Sequence, residues 1–310
     1  AMKAIAMENL PKDLGDDWEI ANQRALSEAL AIMRQDLVSY TFRRHAQVAN
    51  GNPDIDQSAV PSPQSAKEIK HAIKQYRDLV ASMSPPPALE TLCYLFGLSS
   101  QFERNVLLLC AAVELDSGIA PLCAAAQGNP QLNYPTFSLA LAAFPEAHWS
   151  ALSLESPLRR WRLIEFNPNG GNAGAPLTTR PLRVDERVLQ YLTGIQQLDE
   201  RLYSLVEPLF PNQELAPSHL EIAHRVAAAW DRSANAPPFP AIFLYGADFQ
   251  VASAIAAEAS SSAGLNLHAL SAQALPSTPS ELHTLIRLLE RESRLSASAL
   301  LLDCSDRSEE

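Results

Sequence analysis

The stretch that most constrains the fold is AIFLYGADFQVASAIAA at residues 241–257. Its apolar residues 242–245 predict a buried parallel strand that ends at Gly246, and the alanine-rich run at residues 251–260 predicts a helix after a short loop. A second stretch, SALLLDCSD at residues 298–306, predicts another strand. Gly246 and Asp303 are separated by enough residues for a helix, a strand and another helix, which is the order of a doubly wound parallel α/β sheet.

The residues that would bind a nucleotide are only partly present. A phosphate-binding loop reads G-x-x-x-x-G-K-[ST], because open backbone and a lysine hold the phosphates and the hydroxyl binds Mg²⁺. Gly246 and Ser253 match its first and last positions. Val251 replaces the second glycine, and Ala252 replaces the lysine. Asp303 matches the aspartate that binds Mg²⁺ at the end of a later strand, but a cysteine follows it instead of the acid that polarises water.

The sequence therefore predicts a vestigial nucleotide and Mg²⁺ site at Gly246, Ser253 and Asp303, without tight ATP binding. Asp248 adds a negative charge beside the predicted anion site. We expect no catalytic residue, no resident metal ion and no cofactor in this chain. The alternative is an ordinary α/β domain, in which a strand–glycine–helix turn and a strand-terminal aspartate serve only the fold.

Charge and composition limit the partners. The chain has 310 residues and a formal net charge of −11, which disfavours nucleic acid because lysine and arginine supply much of the affinity for phosphate. The same charge disfavours an anionic membrane surface, and no apolar run approaches the roughly 20 residues of a membrane-spanning helix. The four cysteines and seven histidines lack metal-ligand or redox spacing. Residues 1–10 contain no secretory signal, so we expect a cytoplasmic protein without nucleic acid or membrane partners.

The earlier part of the chain has the element order of two helices followed by a winged helix. Residues 16–47 and 66–83 predict amphipathic helices, with a proline- and asparagine-containing linker at residues 50–65. Short helices follow, and residues 161–166 and 177–184 then predict the two strands of a ribbon with a glycine-rich loop. Three short helices followed by such a ribbon outline a winged helix.

A further helix is predicted at residues 195–209, before the α/β part of the chain. We therefore predict a multidomain α + α/β protein with three parts: an N-terminal helical region at residues 1–87, a winged-helix domain at residues 88–198, and a truncated, degenerate P-loop NTPase-like α/β domain without a lid at residues 199–310.

A winged helix suggests DNA binding, so its charge decides between DNA and protein as the partner. Residues 89–198 contain seven basic and nine acidic residues. The third helix, FSLALAAF at residues 137–144, contains no Lys, Arg, Asn or Gln with which to read base edges. The basic cluster of Arg159, Arg160 and Arg162 is expected to form a solvated face or ion pairs. The ribbon is therefore predicted to contact protein or to pack against a neighbouring domain.

Several of these segments together resemble one protein family. The run FGLSSQFERNVLLLCAAVELD at residues 96–116, the arginine-rich ribbon, LYGADFQVAS and LLLDCSD are similar to the winged-helix-containing bacterial AAA+ ATPases, many of which are encoded beside extracellular contractile injection systems. The resemblance covers residues 88–306 and implies a partial, degenerate AAA+-like parallel α/β sheet after the winged helix. It also implies an N-terminal region, or a shortened form, of a longer protein whose active ATPase module binds ATP and Mg²⁺.

The resemblance implies a non-catalytic protein-interaction and regulatory region of an AAA+ ATPase that remodels or assembles a protein complex, such as a contractile injection system. Its expected partner is another protein or the subunits of the AAA+ ring. One alternative is a divergent domain that still binds ATP through Ser253 and Asp303. The other is a DNA-binding regulator that uses the winged helix and its arginines.

Overall fold

The computed structural model describes residues 15–49, 62–167, 174–211, 215–233, 241–246 and 248–305. The chain divides into two units, Ala1–Gln197 and Leu198–Glu310, called here the first and the second unit. Most of the predicted linker at residues 50–65, and the middle of the loop between the ribbon strands, lie outside the described residues.

The described part of the first unit is built mainly from helices. The two long helices predicted near the N-terminus are confirmed as α1 and α2, and short helices follow them as predicted. The helices of this unit are α1 (Gly15–Ala49), α2 (Ala66–Ser82), α3 (Ala88–Phe96), α4 (Gln101–Leu115), α5 (Ile119–Gln127), α6 (Phe137–Ala143), α7 (Pro157–Arg160) and α8 (Glu186–Leu192).

Helix α1 packs against α2, α4, α5 and α6. Its apolar stripe is buried there, with Met33 and Leu37 fully inaccessible to solvent. Asn22 on α1 satisfies two backbone groups of other elements: its amide donates to the carbonyl of Leu192 at 3.1 Å, and its side-chain oxygen accepts from the amide of Ala88 at 2.8 Å. Because a buried backbone group without a partner is costly, these hydrogen bonds of Asn22 fix α1 against the start of α3 and the end of α8.

The ribbon consists of β1 (Ile164–Phe166) and β2 (Leu182–Val184), paired antiparallel with Glu165 opposite Arg183. Both strands are shorter than predicted. The amides of Arg162 and Leu163 donate hydrogen bonds to carbonyls of α7, so they are not available for strand pairing and β1 begins later than predicted. On the other side, residues 177–179 form a turn of 3₁₀ helix.

The second unit contains a three-stranded sheet and three long helices among its described residues. The order helix, strand, helix, strand that was predicted after Gly246 is confirmed. Strand order in the sheet is β3-β4-β5, with β3 antiparallel to β4 and β4 parallel to β5. The elements are β3 (Val206–Leu209), α9 (Pro217–Ser233), α10 (Phe249–Ser262), β4 (Asn266–Ser271), α11 (Pro279–Leu295) and β5 (Ser298–Asp303).

The helix predicted at residues 195–209 is wrong, and the sheet is consequently mixed instead of parallel. Leu202 and Val206 bury against residues of β4 and α11. Residues 200–202 form a turn of 3₁₀ helix there, and the chain becomes extended at Val206, where it pairs with β4. Pro208 lacks an amide hydrogen, which is tolerated in a strand at the edge of a sheet. Periodicity alone did not distinguish this edge strand from a helix.

The buried strand predicted at residues 242–245 is also wrong. These residues belong to no sheet, although their side chains alternate as in a strand. Ile242 and Leu244 pack against the apolar faces of α9 and α10, whereas Phe243 and Tyr245 are 74% and 92% exposed and stack on each other. The run is apolar on both faces but only one face is covered, so the described residues form a small mixed sheet without a central strand before Gly246.

Candidate functional site

In the second unit, the three residues of the predicted nucleotide site lie on a helix, at the end of a strand and in a segment without secondary structure. Ser253 is on α10, and its hydroxyl donates to the carbonyl of Gln250 at 2.9 Å. Asp303 ends β5, and its carboxylate accepts hydrogen bonds from the amide and hydroxyl of Ser305 at 2.9 and 2.5 Å. A Cβ atom added to Gly246 would meet nothing within 4 Å, so no close approach requires glycine there. Within the described residues, no hydrogen bond joins one of the three to another.

The N-terminus of α10, where a phosphate would be held, is capped by the chain itself. The Asp248 carboxylate accepts a hydrogen bond from the amide of Gln250 at 2.8 Å. A carboxylate in this position satisfies the helix dipole and repels a second anion. The residues at this site therefore do not fit a bound nucleotide phosphate.

We expect Mg-ATP at millimolar concentration to leave the melting temperature of the chain unchanged, because a ligand raises stability only if it binds the native state. The same result is expected for Ala252→Lys, since the added lysine leaves the Asp248 cap and Val251 in place. Differential scanning fluorimetry with Mg-ADP and Mg-GTP as comparisons measures this, and isothermal titration measures any heat. Micromolar ATP binding by the unmodified chain would contradict the expectation.

Three of the four cysteines are buried, and the possible metal ligands of the described residues do not form clusters. No three His, Cys, Asp or Glu side chains of the described ranges gather closely enough to bind a metal ion. Burial raises the pKa of Cys93 and of Cys123 to about 12, so both thiols stay protonated at neutral pH.

Helix α6, which the sequence predicted to be the recognition helix, packs into the core of the first unit. Phe137, Leu139, Ala140 and Ala143 are buried. Thr136 caps the helix by accepting from the amide of Leu139 at 3.0 Å. Recognition of base edges requires exposed hydrogen-bonding side chains, and the only such side chain on α6 is a serine hydroxyl.

Two arginines of the ribbon region hold the same carboxylate. Arg162 donates to Glu165 Oε1 at 2.6 Å, and Arg183 donates to Glu165 Oε2 at 3.1 Å. The predicted ion pairing is thus confirmed for Arg162. The sequence analysis did not select Glu165 or Arg183. The two strands predicted at residues 161–166 and 177–184 indicate where they lie, because pairing of these strands can place the two residues opposite each other.

The other two members of the predicted basic cluster are also bound by protein groups. Arg159 donates to the carbonyl of Leu152 at 2.6 Å, and its guanidinium lies 5.1 Å from the centre of the Phe166 ring. Arg160 lies 5.2 Å from the centre of the Trp161 ring. The structure brings Arg159 and Arg162 to one surface together with Arg183 of β2.

Comparison with known proteins identifies one family. A family model described as "winged helix domain, variant" matches residues 23–206, which include most of α1, all of α2 to α8 and the ribbon. No curated protein and no solved structure matches the chain. Among the helices of the described ranges, none combines the length and the apolar character that crossing a membrane requires.

Proposed function

The chain belongs to the variant winged helix domain family, and on this premise we propose that its winged helix is a protein-interaction and regulatory module. The observation that carries the proposal is the burial of α6. Four of its seven residues are buried, and none of the seven is Lys, Arg, Asn or Gln. A helix of this kind stabilises the domain core, so the surfaces left for a partner are the ribbon and its neighbours.

The finer form of the proposal is that this chain is a non-catalytic region of an AAA+ ATPase that remodels or assembles a protein complex, such as a contractile injection system. The resemblance of residues 88–306 supports it, and so does the Asp248 cap at the position of a phosphate. ATP and Mg²⁺ would then act in a separate active module of the longer protein. Turnover of ATP by the purified chain would refute this form.

DNA binding is the competing function, because winged helices bind DNA and because arginines lie on the ribbon. Duplex DNA titrated at low salt and followed by fluorescence anisotropy tests it. We expect no salt-sensitive binding, since the ribbon arginines are already engaged by Glu165 and by protein carbonyls or rings, and the whole chain carries a net charge of −11. Affinity that falls steeply with salt, and that Arg183→Gln reduces, would overturn the proposal.

A further inference from the structure

A cavity of about 390 Å³ lies beside the ribbon in the first unit. Arg159 of α7 and Arg162, which follows α7, line the cavity, and β1 and β2 contribute Glu165 and Arg183. Its remaining lining is apolar and includes Leu154, which is 64% exposed. The volume is at the lower end of the roughly 300–1,000 Å³ of ligand pockets, which suits one or two side chains of a partner.

The lining carries an excess of positive charge. Among the residues that the structure describes, three arginines and one acidic residue, Glu165, line the cavity. The Arg183 side chain is 48% exposed and donates to Glu165 through one nitrogen, while a guanidinium has five N–H donors in a planar fork. A second carboxylate can therefore bind at Arg183 without displacing Glu165.

The positive groups are held in place before any ligand arrives. The Leu152 carbonyl and the Phe166 ring fix Arg159, and partial burial lowers its pKa because the guanidinium is less hydrated than in water. Arg162 has φ = +51°, an unfavourable backbone conformation for a residue with a side chain, and its guanidinium lies against Glu165. Arginines fixed in this way lose little conformational entropy when they bind an anion.

The chemistry of the lining selects the kind of anion. The apolar walls favour a ligand with an apolar group next to a single negative charge. A polyanion such as nucleic acid would extend beyond this small cavity and meet a chain of net charge −11, and α6 offers it no base contacts. A short protein segment with an acidic residue beside a large apolar residue fits this lining, because its carboxylate can contact the arginines while its apolar side chain contacts the apolar residues.

We propose that this cavity binds the carboxylate of an aspartate or glutamate of a partner protein, with an adjacent apolar residue of the partner against Leu154. The inference rests on the proposed function and names the chemistry of its partner. Arg183 and Arg162 receive the carboxylate beside Glu165, and Arg159 supplies the third positive charge.

The test uses the full chain and two blocked dipeptides, acetyl-Leu-Glu-amide and acetyl-Leu-Gln-amide, which differ only in the charge. Their binding is followed by the side-chain Nε–Hε signals of the arginines in NMR spectra. We expect the glutamate peptide to bind at least about fivefold more tightly and to shift the signals of Arg162 and Arg183, as the loss of one charge-assisted hydrogen bond predicts.

Arg183→Gln is expected to weaken binding of the glutamate peptide about fivefold, and Arg183→Lys is expected to weaken it less, because lysine keeps the charge and loses the planar fork. The matched control is Arg24→Gln, which removes the same charge from a pair on α1 whose arginine side chain is 69% exposed. Unchanged melting temperatures establish that the variants fold.

Equal binding of the two dipeptides, or equal affinity of Arg183→Gln and the unmodified chain for the glutamate peptide, overturns this inference. If the chain also fails to bind DNA, the proposed function stands without it. If duplex DNA binds at low salt and Arg183→Gln weakens that binding, both this inference and the proposed function are overturned. The two failures are therefore distinguishable.

Discussion

Replacing Asp199 with asparagine is expected to destabilise the second unit by about 3–5 kcal/mol. The Asp199 carboxylate pairs with Arg291 at 2.6 Å, and these side chains are only 2% and 1% exposed. Asparagine keeps the shape of the residue and removes its charge, so the buried guanidinium of Arg291 loses the carboxylate that lies 2.6 Å from it. Removing one partner of a buried ion pair costs more than the intact pair contributes, because the other charge keeps its desolvation penalty.

Hydrogen exchange of peptides from β4 and α11 measures this effect, because it reports on the second unit separately. The matched control is Glu200→Gln, which removes the same charge at the next position of the chain, where the residue is exposed. We expect this control to change the stability by less than about 0.5 kcal/mol. Equal protection in both variants would show that the buried pair contributes little.

The same group makes an acid-dependent contribution to stability. Burial alone would raise the pKa of Asp199, but hydrogen bonds and charge from Arg201, together with the charge of Arg291, lower it to about 2. Since the pKa is lower in the folded than in the unfolded chain, the contribution is fully present above about pH 4 and is lost as the pH falls toward 2. The difference in stability between the unmodified chain and Asp199→Asn should therefore shrink over this window.

Phe137→Ala is expected to destabilise the first unit by about 3–5 kcal/mol, because truncation of a buried aromatic side chain leaves a cavity. Phe137 is fully inaccessible to solvent and contacts the Phe166 ring edge-on, with centroids 6.2 Å apart. If α6 were an exposed recognition helix, the cost would be small. The substitution thus tests the burial of α6, on which the proposed function depends.

Urea unfolding followed by the fluorescence of Trp18 and Trp161, both buried in the first unit, measures the change. Trp149→Ala is the control, since this aromatic side chain of the same unit is 72% exposed. It should change the free energy of unfolding by no more than about 0.5 kcal/mol. A similar loss in both variants would contradict the assignment of α6 to the core.

Most elements of the first unit were predictable because their signals are local. Ser100, Thr136 and Asp185 each cap a helix, as their positions before apolar runs indicate. Gly97 and Gly128 end helices with φ of +71° and +66°, a conformation that favours glycine. These signals depend on neighbours within a few residues, so tertiary contacts do not alter them.

The two wrong predictions concern segments whose conformation depends on distant partners. Val206–Leu209 becomes a strand because β4, some 60 residues later, pairs with it. Residues 242–245 have the composition of a central strand, but the described residues provide no strand beside them. Whether an apolar run is covered on one face or on both is decided by what packs against it, and the run itself does not contain that information.

The sequence by itself determined what the chain lacks for nucleotide and base recognition: a lysine at Ala252, an acid at Cys304, and polar readers on α6. Only the tertiary structure decided where the positive charge gathers. Arg159 and Arg162 are close in sequence to Glu165, but Arg183 reaches the same carboxylate from the other strand because the ribbon places it directly opposite. A binding surface requires convergence of side chains, and convergence follows from strand register and packing.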